Sequence, residues 1–154
     1  MTNTLTFRLA TKEDLFDIVQ MLSDDTLGVL RESHEATLSD NYLKAFERIA
    51  ADPNQELTVA ELNGEIVATF QLSFIQYLTY QGGSRAQIEA VRTKSTYRGQ
   101  GIGTNVFEYA INRAKEKGCH LLQLTTDKRR RDALRFYESL GFVATHEGMK
   151  RNLD

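Results

Sequence analysis

The segment Arg98-Gly99-Gln100-Gly101-Ile102-Gly103 constrains this chain more than any other. It follows a strand-like run, Gln87 to Thr93, and a tight turn around Tyr97-Arg98-Gly99-Gln100. It then opens a helical stripe in which Ile102, Val106, Ala110 and Ala114 recur every four residues. A helix N-terminus presents unpaired backbone N–H groups and a partial positive charge, which suits a diphosphate. Glycines at 99, 101 and 103 remove the Cβ atoms that would hold such a ligand away, and Arg98 adds a cation.

Three phosphate binders share this logic, and a turn with helix-packing glycines is the structural alternative. A Walker A loop requires Gly-Lys-Ser/Thr, and the segment has no lysine. A dinucleotide fingerprint requires Gly-x-Gly-x-x-Gly and an acidic residue closing the next strand. Read from Gly101, the third glycine position is Val106, and Cys119 to Thr125 contains no acid.

The remaining pattern predicts one mixed α/β domain over residues 1–154. Leu5 to Leu9 reads as a strand. Thr11 and Asp14 form a capping-box-like start to a helix carrying Leu15, Ile18, Val19 and Leu22 on one face. Tyr42, Leu43, Phe46 and Ile49 mark a second helix, stopped near Asp52-Pro53 because proline cannot continue it. Glu56 to Leu62 and Glu65 to Phe74 are strands joined by Asn63-Gly64, the pair suited to a type I′ turn. Arg85 to Thr93 is the next strand and Cys119 to Thr125 another. Ala133, Phe136, Tyr137 and Leu140 give the last helical stripe, and Phe142 to Thr145 and Met149 to Leu153 read as closing strands. The expected architecture is a mixed central sheet of about six or seven strands flanked by about four helices.

Composition narrows the partners. A hydrophobic content of 41% and a charged content of 26% are those of a globular chain. The formal net charge of −2 gives no bulk attraction to nucleic acid or anionic membrane. The sole cysteine, Cys119, allows no intramolecular disulfide and fits a reducing cytoplasm. The first residues lack the basic start and apolar run of a signal peptide, and no stretch is apolar enough to span a membrane. His34, His120 and His146 lack metal-ligand spacing, so no metal is expected. Lys128-Arg129-Arg130-Arg131 reads as a solvated helix start, with contact to an anionic ligand as the alternative.

Arg98-Gly99-Gln100-Gly101-Ile102-Gly103 resembles the Arg/Gln-x-x-Gly-x-Gly/Ala motif of the GNAT N-acetyltransferases, preceded as there by a strand of the type Ile88-Glu89-Ala90-Val91. Ala133-Leu134-Arg135-Phe136-Tyr137-Glu138-Ser139-Leu140-Gly141-Phe142 is similar to that family's A-x-x-(F/L)-Y-E-x-x-G-F block. The resemblance is close over roughly the last half of the chain and extends to element order in the first. One departure is Arg130, where the family often has asparagine seven residues before the tyrosine.

The resemblance implies the acyl-CoA N-acyltransferase fold and acetyl-CoA as cosubstrate. Arg98, Gly99, Gln100, Gly101, Ile102, Gly103 and Thr104 would hold the pyrophosphate, and the edge around Val91 and Thr93 the pantetheine arm. The family opens this strand from its neighbour with a bulge. Tyr137 would be the acid at the thioester sulfur, a core tyrosine being the alternative. Glu89 is the candidate base, although alternation does not fix its face and a bulge resets it. Arg31, His34 and Phe74 are candidate acceptor contacts, with Leu27, Tyr42 and Gln71 beside them. The expected partner is a small-molecule amine, with a homodimer allowed by family analogy. A regulator that senses acetyl-CoA and a protein or peptide N-acetyltransferase are the competing readings.

Overall fold

The computed structural model describes residues 4–24 and 38–154. The chain forms two compact units, one ending at Gln123 and the other spanning Leu124–Asp154. In the first unit the elements are β1 (Thr6–Leu9), α1 (Leu15–Ser23), α2 (Asp40–Ala51), β2 (Gln55–Leu62), β3 (Glu65–Gln76), α3 (Thr79–Gly82), β4 (Ser84–Thr93), α4 (Ile102–Glu116) and β5 (Leu121–Gln123). The strands form one sheet in the order β1-β2-β3-β4-β5. The first three pairings are antiparallel, and β4–β5 is parallel.

Local sequence accounts for the joints. Asn63 and Gly64 both take left-handed backbone angles, φ 52° and 80°, as a type I′ turn requires. Helix α2 ends at Ala51, two residues before Pro53. The α3 turn is no ordinary helix, because Tyr80 and Gln81 are left-handed. Ahead of α1, the Asp14 carboxylate accepts the Thr11 backbone N–H at 2.7 Å and the Arg8 guanidinium at 2.6 and 2.9 Å. Arg8 also reaches Glu61, which ties β1 to β2 and to the start of α1.

Three contacts identify the sheet face covered by α4. Tyr109 meets Phe70 edge-on, the Arg113 guanidinium grips Glu56 at 2.6–3.1 Å, and Lys117 lies over the Phe74 ring. Strand alternation and register add Leu72, Ala86 and Ile88 to this face, all fully or almost fully buried. Val106, Phe107, Ala110 and Ala114 supply the buried stripe of α4. Each large apolar side chain buried here contributes roughly 1.5–3 kcal/mol of transfer free energy.

The second unit contains α5 (Arg131–Ser139). The expected closing strands, Phe142 to Thr145 and Met149 to Leu153, are not formed, so among the described residues the sheet has five strands rather than six or seven. Alternating apolar residues signal a strand only when a ladder partner and a buried face accompany them. Here Val143 is 77% exposed, Met149 93% and Leu153 95%. The β5 ladder is also shorter than the run Cys119 to Thr125. The Cys119 N–H is taken by Ala114 O at the end of α4, so the first backbone bond to β4 is His120 N–H to Ser84 O and the paired register runs only over Leu121–Gln123.

The Asp14 carboxyl is held below the usual carboxylate range chiefly by Arg8, against the opposing effect of burial and with help from Thr11. Stability linked to a lowered pKa is present above the unfolded value and lost as pH falls through the folded one. Asp14→Asn should therefore cost about 1–3 kcal/mol at pH 7. The gap between the two proteins in urea denaturation should close as pH drops below about 4. A gap independent of pH would contradict this role.

Candidate active site

The site is built on the exit of β4. Its ladder with β3 pairs Gln71 with Glu89 and Thr69 with Arg92, so Phe70 alone faces both Ala90 and Val91. This is a one-residue bulge, and Ala90 absorbs it at φ 54°, a left-handed angle uncommon for alanine. The bulge changes which face each residue occupies. Before it, Ala86 and Ile88 point to the α4 core while Gln87 and Glu89 point to the opposite face. After it, Arg92 shares that opposite face through its pairing with Thr69.

Beyond Thr93 the chain is tied down before it reaches the glycines. The Lys94 N–H donates to Val67 O at 2.7 Å, and Tyr97 N–H donates to Lys94 O. The Glu65 carboxylate, at the head of β3, accepts both Lys94 Nζ and Tyr97 Oη at 2.5 Å. These bonds hold the Glu65 carboxyl below its ordinary range, Lys94 first and Tyr97 second, and push the Lys94 and Tyr97 pKa values up. A cleft of about 530 Å³ lies beside this clamp, lined by α1 residues Asp17, Gln20 and Met21 together with Glu65 and Lys94.

The glycine segment then turns into α4. Gly99 and Gly101 are left-handed, φ 77° and 81°, and a Cβ at either would meet nothing within 4 Å. Gly101 is the residue preceding the helix, and no side chain caps it. The N–H groups of Ile102, Gly103 and Thr104 precede the first intrahelical bond, which runs from Asn105 N–H to Gly101 O. Open space over an uncapped, fifteen-residue helix is the arrangement an anion uses. Arg98 stands at its edge, exposed, with its guanidinium donating to Thr93 O and Asp24 O.

The structure brings Glu89, Val91, Thr93 and the residues 98–104 onto one continuous strand–loop–helix path. Phe74 lies elsewhere, on the α4 face beneath Lys117 and opposite the face of Glu89. Arg31 and His34, with Leu27, fall outside the described residues. Tyr137 sits on α5 in the second unit, half-buried, with Phe142 edge-on to its ring at 6.2 Å. In the basic run, Arg129 is held by Asp127 at 2.7–3.0 Å, and Lys128 is 90% exposed. Among the described residues no group of three or more His, Cys, Asp or Glu side chains could hold a metal ion, and no helix is long and apolar enough to cross a membrane. Sequence reasoning missed Gln87 and Gln123. Strand parity, once the face of Glu89 is known, is the signal that points to them.

A strand bulge, a clamped turn and an uncapped helix N-terminus follow one another along this path. Residues 17–142 match the acetyltransferase (GNAT) family, to which this chain belongs. A crystal structure of a transcriptional regulator from Bacillus halodurans C-125 is 56% identical over 97% of this chain and all of that one, with a TM-score of 0.94. An aminoalkylphosphonate N-acetyltransferase of Salmonella typhimurium is 33% identical over 62% of this chain, which spans 61% of that protein. A thialysine N-ε-acetyltransferase of Mus musculus is 28% identical over 87% of this chain and 81% of its own length.

If the glycine segment holds the cofactor, Gly101→Val should weaken acetyl-CoA binding at least tenfold in calorimetric titration. It should also cost about 1–2 kcal/mol of stability, because Gly101 is left-handed. Unchanged affinity would remove the pyrophosphate from this loop.

Proposed function

We propose that the chain is an acetyl-CoA-dependent N-acetyltransferase, one domain over residues 1–154, that acetylates the primary amine of a small molecule by direct attack. The observation carrying this reading is the uncapped N-terminus of α4 behind two left-handed glycines, at the exit of a bulged strand. The family match crosses the boundary between the two compact units and supports their reading as one catalytic domain.

The N–H groups of Gln100 to Thr104 take the pyrophosphate, with Arg98 as the neighbouring cation. The β4 edge at Val91 and Thr93 takes the pantetheine arm. An alkylamine is only roughly one part in two thousand neutral at pH 7, so Glu89 serves as base, directly or through water. Glu89 takes one proton from the ammonium, the neutral amine nitrogen attacks the thioester carbonyl carbon, and a second nitrogen-bound proton passes to water. The Val91 N–H stabilises the oxyanion. As the C–S bond breaks, Tyr137 protonates the leaving thiolate. Alignment of the two substrates supplies much of the acceleration without a covalent enzyme intermediate. The aminoalkylphosphonate and thialysine enzymes support a small amine as acceptor. The lone cysteine supports a cytoplasmic setting.

A second reading, an acetyl-CoA sensor without efficient turnover, is favoured by the description of the Bacillus halodurans protein. Thiol release on a panel of thialysine, an aminoalkylphosphonate and free amino acids separates the two. Turnover on any of them establishes the enzyme, and micromolar acetyl-CoA binding without turnover favours the sensor. Tyr137→Phe should lower kcat by about 10²-fold while leaving acetyl-CoA affinity unchanged. Normal turnover in that variant returns Tyr137 to a packing role.

A further inference from the structure

A row of amides crosses the sheet on the face opposite α4. Gln71 is the cross-strand partner of Glu89, and Gln87 is the parallel partner of Gln123. The Gln71 amide nitrogen donates to Gln55 Oε1 at 2.5 Å, away from the carboxylate. Gln87 Nε2 donates to Glu89 Oε1, and Gln123 Nε2 donates to Gln87 Oε1 at 3.0 Å. Among the described residues, Gln87 is the only side chain that donates to Glu89.

The direction of this relay is forced. A carboxylate only accepts, so Gln87 must turn its NH2 group toward Glu89. That leaves Gln87 Oε1 pointing at β5, where Gln123 supplies the donor. With Gln123 reversed, two carbonyl oxygens would face each other. Glu89 itself is exposed, and an exposed glutamate samples several rotamers unless something holds it.

We propose that Gln87 is a positioning residue, locked by Gln123, that fixes one oxygen of Glu89 and leaves the other for the acceptor amine. The inference rests on Glu89 acting as the base. No family motif points to either glutamine. What joins them to Glu89 is the register of three strands.

The test is steady-state thiol release with the amine of the panel above that the wild-type protein uses fastest. The variants are Gln87→Leu, Gln123→Leu, Glu89→Gln and the double variant Gln87→Leu/Glu89→Gln. Gln87→Leu is expected to lower kcat about tenfold, with KM for acetyl-CoA unchanged, as loss of one hydrogen bond to a charged group implies. Gln123→Leu should give a smaller fall in the same parameter. In the Glu89→Gln background, Gln87→Leu should add nothing. Wild-type turnover by Gln87→Leu, beside an impaired Glu89→Gln, overturns the role of Gln87 alone. An equal loss from Gln87→Leu in both backgrounds also overturns it, since that marks a general structural effect. Undiminished Glu89→Gln turnover instead removes Glu89 as base. A wild-type protein that releases thiol with no amine of the panel removes the small-amine reading on which this inference rests, and overturns the inference with it.

Discussion

One extra residue in β4 sets which of its side chains share the face opposite α4. Phe70 stands opposite both Ala90 and Val91, and Ala90 adopts a left-handed angle to make that possible. Such a conformation costs roughly 1–2 kcal/mol in an alanine, so it persists only because the flanking ladder over-determines it. The ladder does so from both sides, with Leu72–Ile88 and Phe74–Ala86 paired before the bulge and Ala68–Thr93 after it. The change of parity midway along β4 places a glutamate and an arginine on the same face, the one opposite α4, where Val59 and Thr69 are also buried.

The glycine loop depends on that strand and on a second constraint. Left-handed glycines make a turn possible without fixing where it points. The direction comes from Glu65, which binds Lys94 and Tyr97, and from the Lys94–Val67 backbone bond. The loop is thereby fastened to the head of β3, and α4 is fastened below by Arg113–Glu56 and the Phe7–Tyr109–Phe70 ring cluster. The helix N-terminus is held in place by interactions that touch none of its own N–H groups, which leaves those donors to a ligand.

Much of this was legible from residues near one another in the chain. Asn63-Gly64 specified its turn, Asp52-Pro53 stopped α2, and Thr11 with Asp14 opened the first helix. The glycine spacing pointed to an anion site, and two motif blocks pointed to the family that residues 17–142 match. The closing strands were not legible. The alternation in Phe142 to Thr145 and Met149 to Leu153 was real, but alternation reports a propensity and a strand needs a partner. The face of Phe74 was hidden as well, because it depends on which side of the sheet α4 covers.

The sequence by itself determined several local conformations: the Asn63-Gly64 turn, the stop of α2 before Pro53, and that a helix follows a glycine-rich turn. These rest on φ/ψ preferences and on hydrogen bonds between residues three or four apart. Only the tertiary structure decided that Glu89 faces away from the core, that Ala90 absorbs the bulge, and that Gln87 and Gln123 reach the Glu89 carboxylate. Those outcomes depend on the registers of β3, β4 and β5. A register is set by which distant side chains bury together, and a shift of one residue exchanges the two faces.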